Sequence, residues 1–360
     1  MKVCIIGDGL TSLTLAKVLV NRDIFVDIIC KKINKKKNQS RTLGISKSNI
    51  EYFNKNILNI SEISWKINKI KIFSENQKNN ELIKFENPNK NLFAIIKNEK
   101  LHNKLNLELN KSKLFNYKVN FDYKNLSKVN YDLIINCSFD HELTKKFFSK
   151  KLKKNYNSVA YTTIINHKKL SSNDTAIQIF TNKGPLAFLP ISENQTSVVY
   201  SFRVGNSQNK LDIQNLIQKF NPLYKIQKVN DISKFNLESV NLRKYYKNNI
   251  LAFGDLLHKL HPLAGQGFNM SIRDIKDLVE LIDYRINLGL PLDKSICIEF
   301  QNKTKSKNYI FSKGIDLIYE SFNFESKIQS NFISSAAKLV GQNKLLNKYF
   351  KQFADIGLGS

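Results

Sequence analysis

Acidic residues are scarce in this 360-residue chain: 30 Asp plus Glu face 57 Lys plus Arg, a formal charge of +27. Such a surplus suits nucleic acid or an anionic membrane surface. Here the basic residues run through the whole chain alongside abundant Asn and Ile, as a composition-wide bias would leave them, and form no single stripe or tail. No nucleic-acid motif accompanies them, so no nucleic-acid partner is expected and an anionic membrane surface is the alternative that stays. Cysteine is equally sparse. Cys4, Cys30, Cys137 and Cys297 have no paired spacing and no CxxC, which argues against a disulfide scaffold and fits a reducing cytoplasm. No run of about 18 apolar residues occurs, so no transmembrane helix is expected. The apolar start ends at Gly7, too early for a signal peptide. His258 and His261 lie three apart without a carboxylate or cysteine set of zinc spacing, and no metal site is expected. No GxSxG nucleophile elbow is present.

What the chain does have is enough apolar residue, 42%, to fill real cores, and a length that allows two domains. Its most informative stretch is late. Ile250 to Phe253 form an apolar run that ends in Gly254-Asp255, as a buried strand ending in a turn would. A loop from His258 to Gly267 follows. Phe268, Ile272, Ile275, Leu278, Val279 and Ile282 then recur at helical spacing, so a helix begins near Gln266. A glycine-bearing loop feeding a helix N-terminus offers free N–H groups and a positive dipole end to a negatively polarised ligand. Asp255 is placed to accept hydrogen bonds from sugar or polyol hydroxyls.

The start of the chain has a matching unit. Lys2 to Ile6 is a short apolar strand. Gly7, Gly9 and Ser12 follow at GxGxxS spacing, then a helical pattern through Val20, then a second strand from Phe25 to Cys30. This is the strand-turn-helix-strand arrangement of dinucleotide binding. Ser12 stands where Gly or Ala is usual, and Cys30 stands where an acid would meet the ribose.

Together these stretches resemble the flavin-dependent aromatic hydroxylases of the para-hydroxybenzoate hydroxylase class, and within it the ubiquinone-biosynthesis hydroxylases. The segment His261-Pro262-Leu263-Ala264-Gly265-Gln266-Gly267-Phe268-Asn269 is similar to that family's HPxAGQGxN loop. Arg41 to Ser46 resembles its segment bearing an FAD-contacting Arg. Leu92 to Leu109 is similar to the helix before the third strand of the FAD domain. Gly184 to Pro190 (GPLAFLP) matches the ubiquinone branch's GPLALLP within a substrate-domain sheet spanning Ala160 to Phe202. One motif departs from the pattern: after Tyr131 to Ile135 the family's Asp-Gly is replaced by Asn136-Cys137-Ser138.

The resemblance implies an α/β fold: a Rossmann-like (GR2-type) FAD-binding domain, an inserted antiparallel β-sheet substrate domain and a C-terminal helical segment. The expected division is 1–64, 100–150 and 240–285 for the FAD domain, 65–99 and 151–239 for the sheet, and 286–360 for the helices. It implies that Gly7, Gly9, Ser12, Arg41, Gly254, Asp255 and Pro262 through Asn269 hold FAD. It implies a monooxygenase that uses NAD(P)H and dioxygen, and hydroxylates a polyprenylated phenol by way of a flavin hydroperoxide. Expected partners are a hydrophobic aromatic substrate, other ubiquinone-biosynthesis proteins and the inner membrane's anionic surface, with the protein cytoplasmic or peripheral there. The missing Asp-Gly, with Ser12 and Cys30, bears on the adenine-ribose and nicotinamide end. It motivates a rival: a non-catalytic homologue serving as an assembly or lipid-holding subunit. A flavin-dependent lipid reductase of related fold is a third reading, which the GPLAFLP stretch disfavours.

Elsewhere the pattern predicts a basic loop at Lys31 to Asn38, a helix at Asn49 to Ile60, and one strand from Trp65 to Phe73 with a second at Glu81 to Phe85 across a turn at Asn76 to Asn80. Lys145 to Lys154 reads as a basic helix or loop. Strands follow at Val159 to Ile165, Ala176 to Phe180, Leu186 to Leu189 and Ser197 to Phe202. Leu211 to Phe220 reads as a helix, and helical segments follow at Pro291 to Ile310, Ile315 to Phe322 and Ile328 to Phe353. The last is amphipathic and basic, suited either to domain packing or to a membrane interface.

Overall fold

Leu101, Leu105 and Leu109 stand four apart and are all fully buried, so the helix that carries them presents one continuous apolar stripe to a sheet. The computed structural model describes residues 1–31, 40–75, 81–86, 91–119, 121, 126, 129–203, 212–260 and 266–328. Strands β1 (Lys2–Ile6) and β2 (Phe25–Cys30) flank α1 (Leu10–Val20), and β3 (Thr42–Ser46) runs into α2 (Lys47–Asn56). Then come β4 (Ser64–Ile67), β5 (Lys69–Ser74), β6 (Glu81–Glu86), β7 (Phe93–Lys97), α3 (Asn98–Asn110), β8 (Phe115–Val119), β9 (Leu133–Asn136) and α4 (Glu142–Phe147). A second block holds β10 (Lys151–His167), β11 (Thr175–Thr181), β12 (Gly184–Pro190), β13 (Gln195–Arg203), α5 (Ile213–Lys219), β14 (Ile226–Val229) and β15 (Ser233–Leu242). The chain returns through β16 (Tyr246–Lys247), β17 (Ile250–Ala252) and β18 (His258–Lys259) to α6 (Gln266–Asn287) and α7 (Lys294–Ile328).

Three sheets result. The first has the order β16-β17-β9-β1-β2-β8 and is parallel except at β16. Its strands read as near-continuous apolar runs because both faces are covered. α1, α3 and α6 pack on one face around Ile5, Leu13, Leu105, Leu251 and Ile275, and Tyr131 and Leu143 cover the other around Cys4 and Ile6. The second sheet runs β18-β15-β10-β13-β12-β11-β5-β6, with β14 also on β10. The third is β3-β7-β4. Among the described residues, no helix is long and apolar enough to cross a membrane.

Several expectations are corrected here. The second sheet is not wholly antiparallel, since β11 and β5 pair in parallel. Trp65 to Phe73 is not one strand. Asn68 breaks it, its N–H donating to the Asp174 carbonyl at 3.0 Å and its Nδ2 to the Asp174 carboxylate at 3.0 Å. β4 therefore joins β7 while β5 joins β11. The segment compared with a helix, Leu92 to Leu109, begins as strand β7, and the helix starts only at Asn98. The basic stretch at Lys151 to Lys154 is the start of the 17-residue β10, paired with Leu242 to Ser239 of β15. Lysines alternate there without an apolar face, so the strand signal is absent from the sequence. The segments at Pro291 to Ile310 and Ile315 to Phe322 are one helix, α7. The turn at Asn76 to Asn80, most of the basic loop at Lys31 to Asn38 and nearly all of Ile328 to Phe353 lie outside the described residues.

The turn between β11 and β12 depends on Gly184. Its φ is +134°, and an added Cβ would sit 2.0 Å from the Ser201 carbonyl oxygen. Gly184→Ala is expected to lower unfolding free energy by at least about 2 kcal/mol, from combined strain and overpacking, read as a shifted denaturant midpoint.

Candidate cofactor and substrate site

The carboxyl ends of β1, β9 and β17 lie side by side, and three turns leave the sheet there. Gly7 follows β1 at φ +106°, and its N–H donates to the Ile29 carbonyl at 2.8 Å. Gly9 caps α1 in extended backbone, and a Cβ added there would meet nothing within 4 Å. Ser12 is buried with its hydroxyl against the Cys137 thiol. A buttress that the sequence did not disclose stands behind this turn. His102 of α3 is buried with Nε2 3.3 Å from the Asp8 carbonyl oxygen. Asn106 Nδ2 donates to His102 Nδ1 at 2.9 Å, and Tyr117 donates to Asn106 Oδ1 at 2.5 Å. The sole sequence signal was a His and an Asn four apart on a leucine-spaced helix.

At β9, where the family's Asp-Gly is missing, a closed polar knot stands instead. Buried Asn136 donates to Thr144 Oγ1 at 2.7 Å and accepts from the Ser138 N–H at 3.1 Å. Thr144 donates to the Ser138 carbonyl at 2.6 Å. The Cys137 thiol is pushed up to about 12 by burial, with Asp255 adding to the shift and the Ser12 hydroxyl opposing it. Cys30, at the end of β2, is raised by burial and then by Asp8. Both remain neutral thiols, so neither offers a nucleophile or an acid.

The third turn brings the late motif onto the early one. The Phe253 N–H donates to the Asn136 carbonyl at 2.9 Å. Gly254 follows at φ +64°, and an added Cβ would lie 2.9 Å from Thr11 Cγ2. Asp255 is exposed beside it, in a single 3₁₀ turn. Next comes His258, whose Nε2 bonds the Asp274 carboxylate; both are 1% exposed, and Asn308 Nδ2 donates to the other Asp274 oxygen at 2.8 Å. Among the described residues no cluster of three or more His, Cys, Asp or Glu could hold a metal.

His261, Pro262, Leu263, Ala264 and Gly265 lie outside the described residues, as does the Gln266 side chain. At Gly267, in the first turn of α6, an added Cβ meets nothing within 4 Å among the described residues. Phe268 packs into the main core. Asn269 is 2% exposed, and its amide is fully engaged by protein. Oδ1 accepts from the Ser46 N–H and Asn49 Nδ2, both at 2.9 Å, and Nδ2 donates to the Gly44 carbonyl at 2.8 Å. Arg41 stands exposed just before β3.

The second sheet turns one face to this region. Ser40 and Thr42 reach across to it, Ser40 Oγ lying 3.1 Å from Thr162 Oγ1 and Thr42 Oγ1 2.9 Å from Ser197 Oγ. Thr162 lies opposite Val199, Val199 opposite Ala187, and Ser197 opposite Leu189, so all share that face. Val199, Ala187 and Leu189 are half-buried. The opposite face carries Phe188, Val198 and Tyr200 and is covered by Ile213 and Ile217 of α5.

The fold is similar to that of solved monooxygenases. Two solved structures superpose on nearly the whole chain. One is p-nitrophenol 4-monooxygenase from Pseudomonas putida DLL-E4, with a TM-score of 0.78, 11% identity, 99% of this chain and 98% of that one. The other is a probable FAD-dependent monooxygenase from Pseudomonas aeruginosa, with a TM-score of 0.71, 14% identity, 94% of this chain and 99% of that one. Residues 148–286 match the family model described as an FAD binding domain. The sequence homologues are ubiquinone-biosynthesis hydroxylases. The 3-demethoxyubiquinol 3-hydroxylase of Escherichia coli (strain K12) is 29% identical over 158 residues, 42% of this chain and 40% of the relative. The mitochondrial ubiquinone biosynthesis monooxygenase of Schizosaccharomyces pombe is 20% identical over 241 residues, 54% of this chain and 50% of the relative. The chain thus spans about half the length of the curated relatives it matches.

Proposed function

We propose that this protein is an FAD-dependent monooxygenase that hydroxylates an aromatic ring, with a polyprenylated phenol of ubiquinone biosynthesis as substrate and NAD(P)H and dioxygen as co-substrates. The observation that carries the reading is the seating of Gly254 on Thr11, which joins the early and late glycine turns into one cradle. Open space in front of Gly9 and Gly267 suits a ligand that approaches the backbone closely, so the residues present fit FAD. Bound FAD would supply the redox and oxygen chemistry. The turn at Gly7 to Gly9 and the N-terminus of α1 would receive its phosphates. Asp255, exposed at the rim, would accept from its sugar-like hydroxyls. The N-terminus of α6 would stabilise negative charge on the ring system. The half-buried face of Val199, Ala187 and Leu189 would shelter an apolar ring from water. The chain's surplus of positive charge suits a membrane surface as the source of a lipid-like phenol.

The visible absorbance spectrum of the protein before and after adding FAD tests this. The wild type is expected to show a bound-flavin spectrum. Gly9→Val and Gly267→Val, where an added Cβ meets no described atom within 4 Å, are expected to fold normally and stay colourless. A folded wild type that remains colourless in excess FAD would overturn the proposal.

The rival reading, a non-catalytic assembly or lipid-holding subunit, draws its support from the Asn136–Thr144 knot and the neutral Cys137 thiol where relatives of the family carry Asp-Gly. A protein that binds FAD yet is not reduced by NADH or NADPH would favour it.

A further inference from the structure

Lys97 ends β7 directly opposite Thr42 of β3, so their side chains leave the same face of that sheet. Both point at β13. Thr42 Oγ1 meets Ser197 Oγ at 2.9 Å, and Lys97 Nζ donates to Gln195 Oε1 at 2.9 Å. Gln195 cannot turn away, because its Nε2 is held by Asn166 Oδ1 at 2.7 Å. Lys97 is half-buried. Burial, then Lys100, hold its pKa below the usual lysine range, with Glu99 pulling the other way through space. Among the ion pairs found between described residues, none involves Lys97, whereas half-buried Lys118 lies 2.9 Å from Asp27.

A lysine with a four-carbon stem ordinarily carries its ammonium out to water. Holding one half-buried against a single neutral amide is costly unless an anion meets it. The surroundings narrow that anion. The ammonium stands beside Thr42, whose hydroxyl is bonded to fully buried Ser197, and half-buried Val199 and Ala187 follow on the same face of the second sheet. A compact oxyanion attached to a flat apolar body fits such a corner. A bare phosphate would leave these apolar side chains unused.

We propose that Lys97 is the substrate-anchoring residue of this site, receiving the oxygen of an aromatic phenol as the phenolate. The inference rests on the aromatic-hydroxylase reading above and deepens it. The ammonium stabilises the ionised phenol, whose proton leaves to solvent, and the phenolate is the more electron-rich ring. β3 ties this anchor to the cofactor cradle: Thr42 beside Lys97 marks one end of the strand, and Ser46, bonded to Asn269 of α6, marks the other.

The test uses the FAD-loaded full chain and 4-nitrophenol, whose phenolate absorbs where the neutral phenol does not. Titrations run at a pH where the free probe is mostly neutral. The wild type is expected to draw out the phenolate band on binding. Lys97→Met is expected to bind about tenfold to a hundredfold more weakly and to lose that band, as removal of a charged hydrogen-bond partner should. Lys97→Arg should restore the band, and Lys113→Met, in the exposed turn after α3, should leave it unchanged. Lys97→Gln serves as a second neutral variant should the Met variant fail to fold. Equal affinity and an equal phenolate band in a neutral variant would overturn the proposal. So would a neutral variant that loses FAD while its phenol binding is intact, which would assign Lys97 to the cofactor. A wild type that holds FAD but binds no phenol would sink the aromatic-hydroxylase reading itself, and this inference with it.

Discussion

Gly254→Ala is expected to leave the protein without bound FAD and to lower its unfolding free energy by about 2–4 kcal/mol. Two costs combine. The backbone at φ +64° is one that an L side chain enters at roughly 1–2 kcal/mol. The new methyl also arrives 2.9 Å from Thr11 Cγ2 in a turn fixed on both sides, by the Phe253 N–H to the Asn136 carbonyl and the Leu257 N–H to the Gly254 carbonyl, each at 2.9 Å. Thr11 can escape only by shifting the first turn of α1, which displaces Gly9 from the cradle. The companion variant Thr11→Ser, Gly254→Ala removes the methyl that is struck and should recover the steric part but not the backbone part. Flavin content by absorbance and the midpoint of denaturant unfolding read the two effects separately. A single variant with unchanged midpoint and full flavin content would contradict the argument.

His258→Leu is expected to be the most destabilising side-chain change in the cofactor domain, at about 3–5 kcal/mol. The Asp274 carboxylate is 1% exposed and would keep only the Asn308 amide, at 2.8 Å. A buried charge left with one neutral donor loses far more than an average hydrogen bond. The double variant His258→Leu, Asp274→Leu removes the stranded charge and should regain a substantial part of the loss, since apolar replacement of a buried polar pair is often near neutral. Urea unfolding with an unchanged slope would show that the native state alone is affected. Additive losses in the double variant would refute the coupling.

The parts of the fold written in local pattern were legible. β1, α1 and β2 announced themselves by apolar runs and periodicity around Gly7 and Gly9, and the late strand-loop-helix by Gly254 and the spacing from Phe268 to Ile282. Features that depend on distant partners were not. Nothing near Lys151 to Lys154 shows that its partner is β15, because an alternating lysine strand has no apolar face to betray it. The parallel pairing of β11 with β5 joins two segments that have β6 to β10 between them in the sequence. His102 read as a scattered histidine and His258 only as half of a spacing with His261 that suits no metal, because their partners, Asp8 and Asp274, are found only by folding. Asn269 was legible as important, but its local setting at a helix start suggested a ligand where the structure supplies Gly44, Ser46 and Asn49. Lys97 carried no motif at all. Its significance comes from the sheet pairing that sets it beside Thr42.

That Asn269 amide also limits how the molecule can be taken apart. It accepts from β3 and α2 and donates to β3, so α6 cannot be exchanged as a self-contained cassette. A chimera that imports residues 266–273 from a relative would place a foreign helix start against a native strand whose N–H and C=O groups were shaped for this one asparagine. Residues 40–49 must be transplanted in the same step. Shuffled libraries that cross over between these two segments should yield few folded members, and those crossing outside both should yield many.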